Sequence, residues 1–270
     1  MTGANTGIGR ATAVGLARRG AHVLLACRSA ERTRAVLAEI DALPGDGSAV
    51  FVPLDLADLE AVRKTAAEVL DLLGSDRSLD LLVNNAGLAG TKGLTAQGFE
   101  LTFGVSHLGH FVLTTLLLDK LAAGAPARVV NLSSKAHFGA KGIDFAALQQ
   151  PTRSAGALVE YQVAKLCNVL FTIELARRLD PERITTCAVH PGVIGSDIWR
   201  EIPWPIRPVM RLFMGSVGKG ADRVLHGALD PALAAASGAY LDHDRPTPPS
   251  DVATPELAAR LWSQSEIWVE

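Results

Sequence analysis

The chain has 270 residues, 48% of them hydrophobic, with 26 basic against 28 acidic side chains and a formal net charge of -2. That length and apolar content suit one large domain with a filled core. The even charge balance excludes a field that would gather nucleic acid or an anionic membrane, which leaves a small neutral molecule as the expected partner.

Cys27, Cys167 and Cys187 are odd in number and far apart, with no Cys/His cluster beside them. This argues against a disulfide framework and a zinc site and fits a reducing, cytoplasmic setting. No residue run approaches the roughly 18 apolar positions of a membrane span, and no basic segment followed by an apolar one opens the chain.

In chain order the first element is a loop, Thr2-Gly3-Ala4-Asn5-Thr6-Gly7-Ile8-Gly9, leading into a helical stretch at Arg10-Ala11-Thr12-Ala13. Glycines let a backbone approach phosphates without a Cβ in the way, and a helix start offers unpaired N–H groups and the positive end of a dipole. The same pattern also fits an ordinary turn capping a helix, and its confirming context is a strand before it. Here the loop starts at residue 2, so that strand is missing from its expected place.

Short apolar runs then alternate with helical patterns, which predicts βαβ units around a parallel sheet. The strands are expected at His22–Ala26, Ala49–Val52, Leu79–Val83, Ala127–Asn131 and Thr185–Val189, with amphipathic helices at Glu31–Ile40 and Leu59–Leu73 between them. Beyond Val189 the pattern loosens into a proline-punctuated apolar segment from Ile202 to Met214. No linker divides the chain, so 1–270 reads as a single domain. In open parallel sheets ligands collect outside the carboxyl ends of the strands. Arg28, Asp55, Asn84, Asn85, Ser133, Ser134 and His190 all fall there.

Tyr161-Gln162-Val163-Ala164-Lys165 opens a helical run, and its i, i+4 spacing puts the tyrosine and the lysine on one face. A phenol titrates at about pH 10, so acid–base work near neutrality needs a nearby cation to favour the phenolate. Spacing alone also fits an amphipathic helix with a solvated lysine. His107, His110 and His137 lack metal-ligand spacing, so packing or hydrogen bonding is expected of them and no metal.

Five segments, taken in order, resemble the short-chain dehydrogenase/reductases: the Thr2–Gly9 loop, Asn84-Asn85-Ala86-Gly87, Val130-Asn131-Leu132-Ser133-Ser134, Tyr161-x-x-x-Lys165 and His190-Pro191-Gly192. Phe103-Gly104-Val105-Ser106-His107-Leu108-Gly109-His110-Phe111 and Ala26-Cys27-Arg28-Ser29 are similar to its retinol-dehydrogenase-like and WW-domain-oxidoreductase-like members. So is the step of 27 positions from Ser134 to Tyr161.

The resemblance implies a three-layer Rossmann-type doubly wound α/β fold whose first strand looks truncated. It implies Tyr161 as general acid or base, with Lys165 lowering its pKa and holding the nicotinamide ribose. Ser134 would hydrogen-bond the substrate oxygen, with Ser133 structural. Gly3, Asn5, Thr6, Gly7, Ile8 and Gly9 would hold the pyrophosphate; Asp55 and Leu56 would flank the adenine, and Asn85, Ala86 and Gly87 would pass beneath the adenosine. Val193 would present backbone to the carboxamide, with Ser196 nearby, and 200–216 would form a substrate lid.

Cofactor choice rests on the end of the second expected strand. An acid there would bind the ribose 2′-OH of NAD, whereas an arginine pairs with the 2′-phosphate of NADP. Arg28 stands there with no acid, which favours NADP (NADPH); Arg10 is a candidate second charge or a solvated side chain.

Two features depart from the family. Ser106 stands where the family has an asparagine whose carbonyl holds a water linking the lysine to solvent, so a weakened but working proton relay is expected. The other is the absent first strand, which would leave its neighbours unpaired; the expectation is that Met1 is a GTG valine codon read as a start, with the true start further upstream. The primary reading is an NADP(H)-dependent oxidoreductase interconverting a carbonyl and an alcohol on an apolar small molecule, compatible with a homo-oligomer. The rivals are a nucleotide-binding sensor or scaffold and a carbon–carbon double-bond reductase.

Overall fold

A computed structural model describes residues 1–192 and 216–270. Val193, Ser196 and positions 200–215 of the expected lid lie outside the described residues. Ser216 caps the helix that follows, its hydroxyl accepting from the Lys219 N–H.

Strands β1 (His22–Cys27) and β2 (Ser48–Pro53) pair in parallel. A second sheet runs β3 (Leu81–Asn84), β4 (Ala127–Leu132), β5 (Ile184–His190) and β6 (Ala239–Asp242) in parallel, with β7 (Arg245–Thr247) antiparallel at its edge. All seven residues of β5 are buried, which is why this strand reads as a continuous run without alternation. The sequence reading found the first five strands and missed β6 and β7. Both are short, and Pro246 marks β7 as an edge strand, where a missing N–H costs little.

The helices are α1 (Gly7–Ala17), α2 (Ala30–Asp41), α3 (Leu59–Leu73), α4 (Leu101–Ala123), α5 (Leu158–Arg178), α6 (Val217–Leu229) and α7 (Pro255–Val269). Residues of α1, α2 and α6 share one core with one sheet face, while α3, α4, α5 and α7 share the core on the other. Helix α3 shows how local chemistry builds such a layer. Asp58 caps it by accepting from the Glu60 N–H, Val62, Ala66, Val69 and Leu73 form the buried stripe, and Gly74 at φ 59 follows its end. Helix α4 is long and apolar enough to cross a membrane by length and composition, with a mean hydropathy of 1.5. However, 72% of that window is buried inside the protein, as in a core helix.

Met1, Thr2 and Gly3 hold the position between β1 and β3 where the sequence reading expected a first strand. The Ala26 N–H donates to the Met1 carbonyl at 2.9 Å, the Gly3 N–H to the Ala26 carbonyl at 2.9 Å, and the Thr2 N–H to the Val83 carbonyl at 3.0 Å. Thr2 thus bridges β1 to β3 and joins the two sheets. Behind this bridge lies a cavity of about 590 Å³, lined by Met1, Leu24, Leu81, Val83, Leu113 and Leu117 among others. The neighbours expected to be unpaired are thus bridged at Leu24, Ala26 and Val83, and the cavity remains between β1 and β3 beyond the bridge.

Candidate active site

A cleft of about 470 Å³ opens at the carboxyl ends of the strands and collects nearly every described residue expected at the site. Gly3, Asn5, Thr6, Gly7, Ile8 and Gly9 form one wall. Arg28, Asp55 and Leu56 form a second, and Asn85, Ala86 and Gly87 the floor. Ser134, Tyr161 and Lys165 stand at the far end, beside His190, Pro191 and Gly192.

The glycine loop has the shape its composition promises. Gly3 and Gly7 sit at φ 62 and φ 53, a region costly for a side chain. A Cβ on Gly9 would come 2.1 Å from the Gly3 carbonyl oxygen. The loop is tied to the floor: Asn85 Nδ2 donates to the carbonyls of Thr2 (2.8 Å) and Gly3 (3.1 Å), while Thr2 Oγ1 accepts from the N–H groups of Asn85 and Ala86, both at 3.0 Å. The first turn of α1 opens into the cleft, an arrangement that favours an anion.

Along the Arg28 wall Asp55 Oδ1 accepts from the Ala57 N–H at 2.9 Å, which shapes the turn before α3. Arg10 does not reach the cleft: its Nε is 2.8 Å from Glu39 Oε2. Beside Arg28 the cleft is also lined by Arg32, which the sequence reading missed. The available signal was its position one turn into α2, four residues after Arg28, behind the Ser29 hydroxyl that caps the Arg32 N–H at 3.2 Å.

Tyr161 and Lys165 lie on one face of α5, as their spacing predicts, with Lys165 Nζ 5.7 Å from the centre of the tyrosine ring. Helix α5 is bolted to β4 by buried polar bonds. The Ser133 hydroxyl donates to the Lys165 carbonyl (2.8 Å), and both Lys165 Nζ (3.1 Å) and Asn168 Nδ2 (2.8 Å) donate to the Leu132 carbonyl. Asn131 Nδ2 donates to Thr172 Oγ1, and Asn84 Nδ2 to Asn131 Oδ1, both at 2.9 Å. Ser133 is thus structural, as expected. Such bonds are costly to lose once buried, so they fix α5 against the sheet.

The Lys165 depression of the tyrosine pKa implied by the resemblance is not what this protein shows by itself. Burial pushes the Tyr161 phenol above its usual value, and a hydrogen bond with the Ser134 side chain pulls the other way. Burial likewise lowers Lys165 from 10.5 to about 8. The cost of burying its charge is full below pH 8, where lysine is protonated in both folded and unfolded chains, and is relieved as pH rises from about 8 toward 10.5. Lys165→Met is therefore expected to raise stability at pH 7 by about 1–3 kcal/mol, and by less at pH 10, while impairing activity. Urea midpoints at the two pH values check this. A midpoint that falls at pH 7 would mean that the bond to Leu132 outweighs the buried charge.

Ser106 sits in a π-helical turn, Gly104–Leu108, within α4; such bulges often accompany functional sites. Its hydroxyl is buried without a partner among the described residues. A Cβ on Gly87 would be 3.5 Å from that Oγ and 3.4 Å from Lys165 Nζ, so both groups converge on one spot. The Ser106 carbonyl is already engaged by His110 Nδ1 at 3.0 Å. Thr2 Oγ1, accepting from two backbone donors, gives its proton to His110 Nε2 (2.9 Å), which leaves the ring hydrogen on Nδ1 for Ser106. Burial lowers His110 to about 4 and His107 to about 3, so both are neutral packing and hydrogen-bonding groups. No cluster that could hold a metal occurs among the described residues, and the three cysteines are free and buried.

Residues 1–204 match the family described as short chain dehydrogenase. Mouse retinol dehydrogenase 12 is 43% identical over 98% of this chain and 84% of its own length. A solved protein of Mycobacterium paratuberculosis shares 31% identity with a TM-score of 0.75, covering 99% of this chain and 91% of that one. A Beutenbergia cavernae protein, described as an NAD(P)-dependent gluconate 5-dehydrogenase and solved with NADP bound, shares 27% identity with a TM-score of 0.69, over 90% of this chain and 93% of that one. The glycine cradle, the Ser134, Tyr161 and Lys165 set and these likenesses agree: the chain belongs to the short-chain dehydrogenase family, in its retinol-dehydrogenase-like branch, as an oxidoreductase of alcohols and carbonyls.

Proposed function

We propose that this protein is an NADP(H)-dependent oxidoreductase that interconverts a carbonyl and an alcohol on an apolar small molecule in the cytoplasm. The observation that carries the reading is the convergence of Ser134, Tyr161 and Lys165 in the same cleft as a glycine loop that admits no Cβ at Gly9. The loop and the start of α1 fit a pyrophosphate, and Arg28 and Arg32, with no acid at the end of β1, fit a 2′-phosphate. A bound dinucleotide supplies or accepts the hydride.

The chain's own residues handle the oxygen and its proton. Tyr161 gives a proton to the oxygen when a carbonyl is reduced and takes it back when an alcohol is oxidised. The Ser134 hydroxyl donates to the same oxygen and stabilises charge as it develops. Lys165, held by the Leu132 carbonyl, keeps a positive charge near the phenol and holds the ribose. Ser106 Oγ, buried beside Lys165, extends the path for that proton where the family carries an asparagine. Leu88, Ala89, Val105 and Leu158 line the cleft and favour an apolar substrate.

The test is NADPH consumption over a panel of aldehydes and ketones, repeated with NADH and with Arg28→Asp. Wild type is expected to prefer NADPH, and the variant to lose that preference by about tenfold or more in kcat/KM. An NADH preference in wild type would overturn the cofactor assignment, and cofactor binding without turnover would favour the sensor reading.

A further inference from the structure

We propose that His137 is a positioning residue for Ser134: its neutral ring clamps the Ser134 carbonyl to the loop at Ser250 and thereby sets where the Ser134 hydroxyl points. The inference rests on the role given to Ser134 above. Ser134 is the N-cap of a 3₁₀ turn, Lys135–Gly139. Its Oγ accepts from the Ala136 N–H at 3.2 Å, and its carbonyl accepts from the His137 N–H at 3.1 Å and from His137 Nδ1 at 2.7 Å. On the other side of the ring, Nε2 lies 3.1 Å from the backbone nitrogen of Ser250.

A backbone N–H can only donate, so Nε2 must be bare and the ring proton sits on Nδ1, aimed at Ser134. The bond from Ser250 requires the neutral ring, since a protonated Nε2 could not accept, and the surroundings keep it so. The side chain is 0% exposed, lies edge-on to Tyr240 with centroids 4.6 Å apart, and burial pushes its pKa down.

This bridge matters because Ser134 and Tyr161 come from different elements. The turn meets α5 where Gly139 backs onto Gln162, the neighbour of Tyr161; a Cβ there would fall 2.3 Å from the Gln162 amide nitrogen. Lys135 Nζ, 2.9 Å from Asp242 Oδ2, ties the turn to β6 through an ion pair whose lysine is half exposed, and such a pair holds weakly. The His137 bridge is buried, anchors a third element, and acts on the catalytic serine's own peptide.

The two ends of the ring can be separated. An asparagine keeps an amide donor near Nδ1 without reaching Ser250, whereas a leucine keeps bulk and loses both bonds. His137→Leu is expected to lower kcat by about 10–100-fold with KM for NADPH unchanged within about twofold. His137→Asn is expected to regain most of that loss, and thermal midpoints establish that each variant is folded. In ¹⁵N NMR of the wild-type ring, His137 is expected as the Nδ1–H tautomer, with the Ser250 amide protected from exchange and deprotected in His137→Leu.

An Nε2–H tautomer, wild-type kcat in folded His137→Leu, or equal losses in the leucine and asparagine variants would each overturn the clamp. Ser134→Ala, run alongside, separates this inference from the reading beneath it. If that variant keeps wild-type turnover, the role of Ser134 fails and the clamp's catalytic purpose with it. If it loses turnover while His137→Leu does not, only the clamp fails.

Discussion

Tyr161→Phe is expected to lower kcat for carbonyl reduction by about 10²–10⁴-fold while leaving NADPH affinity and folding nearly intact. The phenylalanine keeps the ring, which is 6% exposed and packed on α5, and removes only the hydroxyl. What is lost is the hydroxyl proposed as proton donor, with its bond to the Ser134 side chain that offsets the effect of burial. Because burial raises the phenol pKa, Tyr161 is protonated across the neutral range and ready to donate to a carbonyl. In the oxidative direction the phenolate is needed, so that rate is expected to climb with pH well past neutrality. Stopped-flow NADPH oxidation with a cofactor-fluorescence titration measures both quantities. Turnover within threefold of wild type would remove Tyr161 from the proton-transfer role, and a matching loss of NADPH binding would reassign it to holding the cofactor.

A second large effect is expected from filling the slot behind Thr2. Ala26 turns its N–H and carbonyl toward Met1 and Gly3, so by the period of two Leu24 and His22 present theirs on the same side. Val83 accepts from Thr2 across the gap, and Leu81 follows by the same alternation. The Met1 ammonium sits inside, donating to the Leu24 carbonyl at 2.8 Å, and burial lowers its pKa to about 6. Four Val/Ile-rich residues added ahead of Met1 would convert that buried terminal amine to a peptide N–H, pair both open edges and occupy the cavity. The expected net gain is about 2–4 kcal/mol, the surplus of hydrogen bonds and apolar burial over chain ordering, or about 5–10 °C in Tm. A Gly/Ser extension of equal length, which pairs poorly and buries little, is the control. Equal Tm values for the two extensions would show that the slot does not receive a strand.

How much of this was readable beforehand depends on the range of the interaction responsible. Helix α3 was predicted with its observed bounds, Leu59–Leu73, because its apolar stripe recurs at helical spacing within the segment itself. The convergence of Tyr161 and Lys165 was legible for the same reason, since four residues of helix suffice to align them. Arg10 was left open between a second charge for the cofactor and a solvated side chain, because its partner, Glu39, lies 29 residues away on another helix. Strands β6 and β7 were invisible because neither sits in an apolar run like the one that carries β3, and they form by pairing with β5 and with each other.

The sequence by itself determined the family, the alternation that builds a parallel sheet, the glycine loop and the identities of Ser134, Tyr161 and Lys165. These rest on local backbone chemistry and on spacings along one chain. Only the tertiary structure decided how those groups behave. Burial set the directions of the Tyr161 and Lys165 pKa values, the Ser106 hydroxyl and the Lys165 ammonium were turned toward Gly87, and His137 was wedged between Ser134 and Ser250. Desolvation and long-range hydrogen bonds depend on which surfaces meet, and no stretch of sequence contains that meeting until the sheet and its two helical layers close.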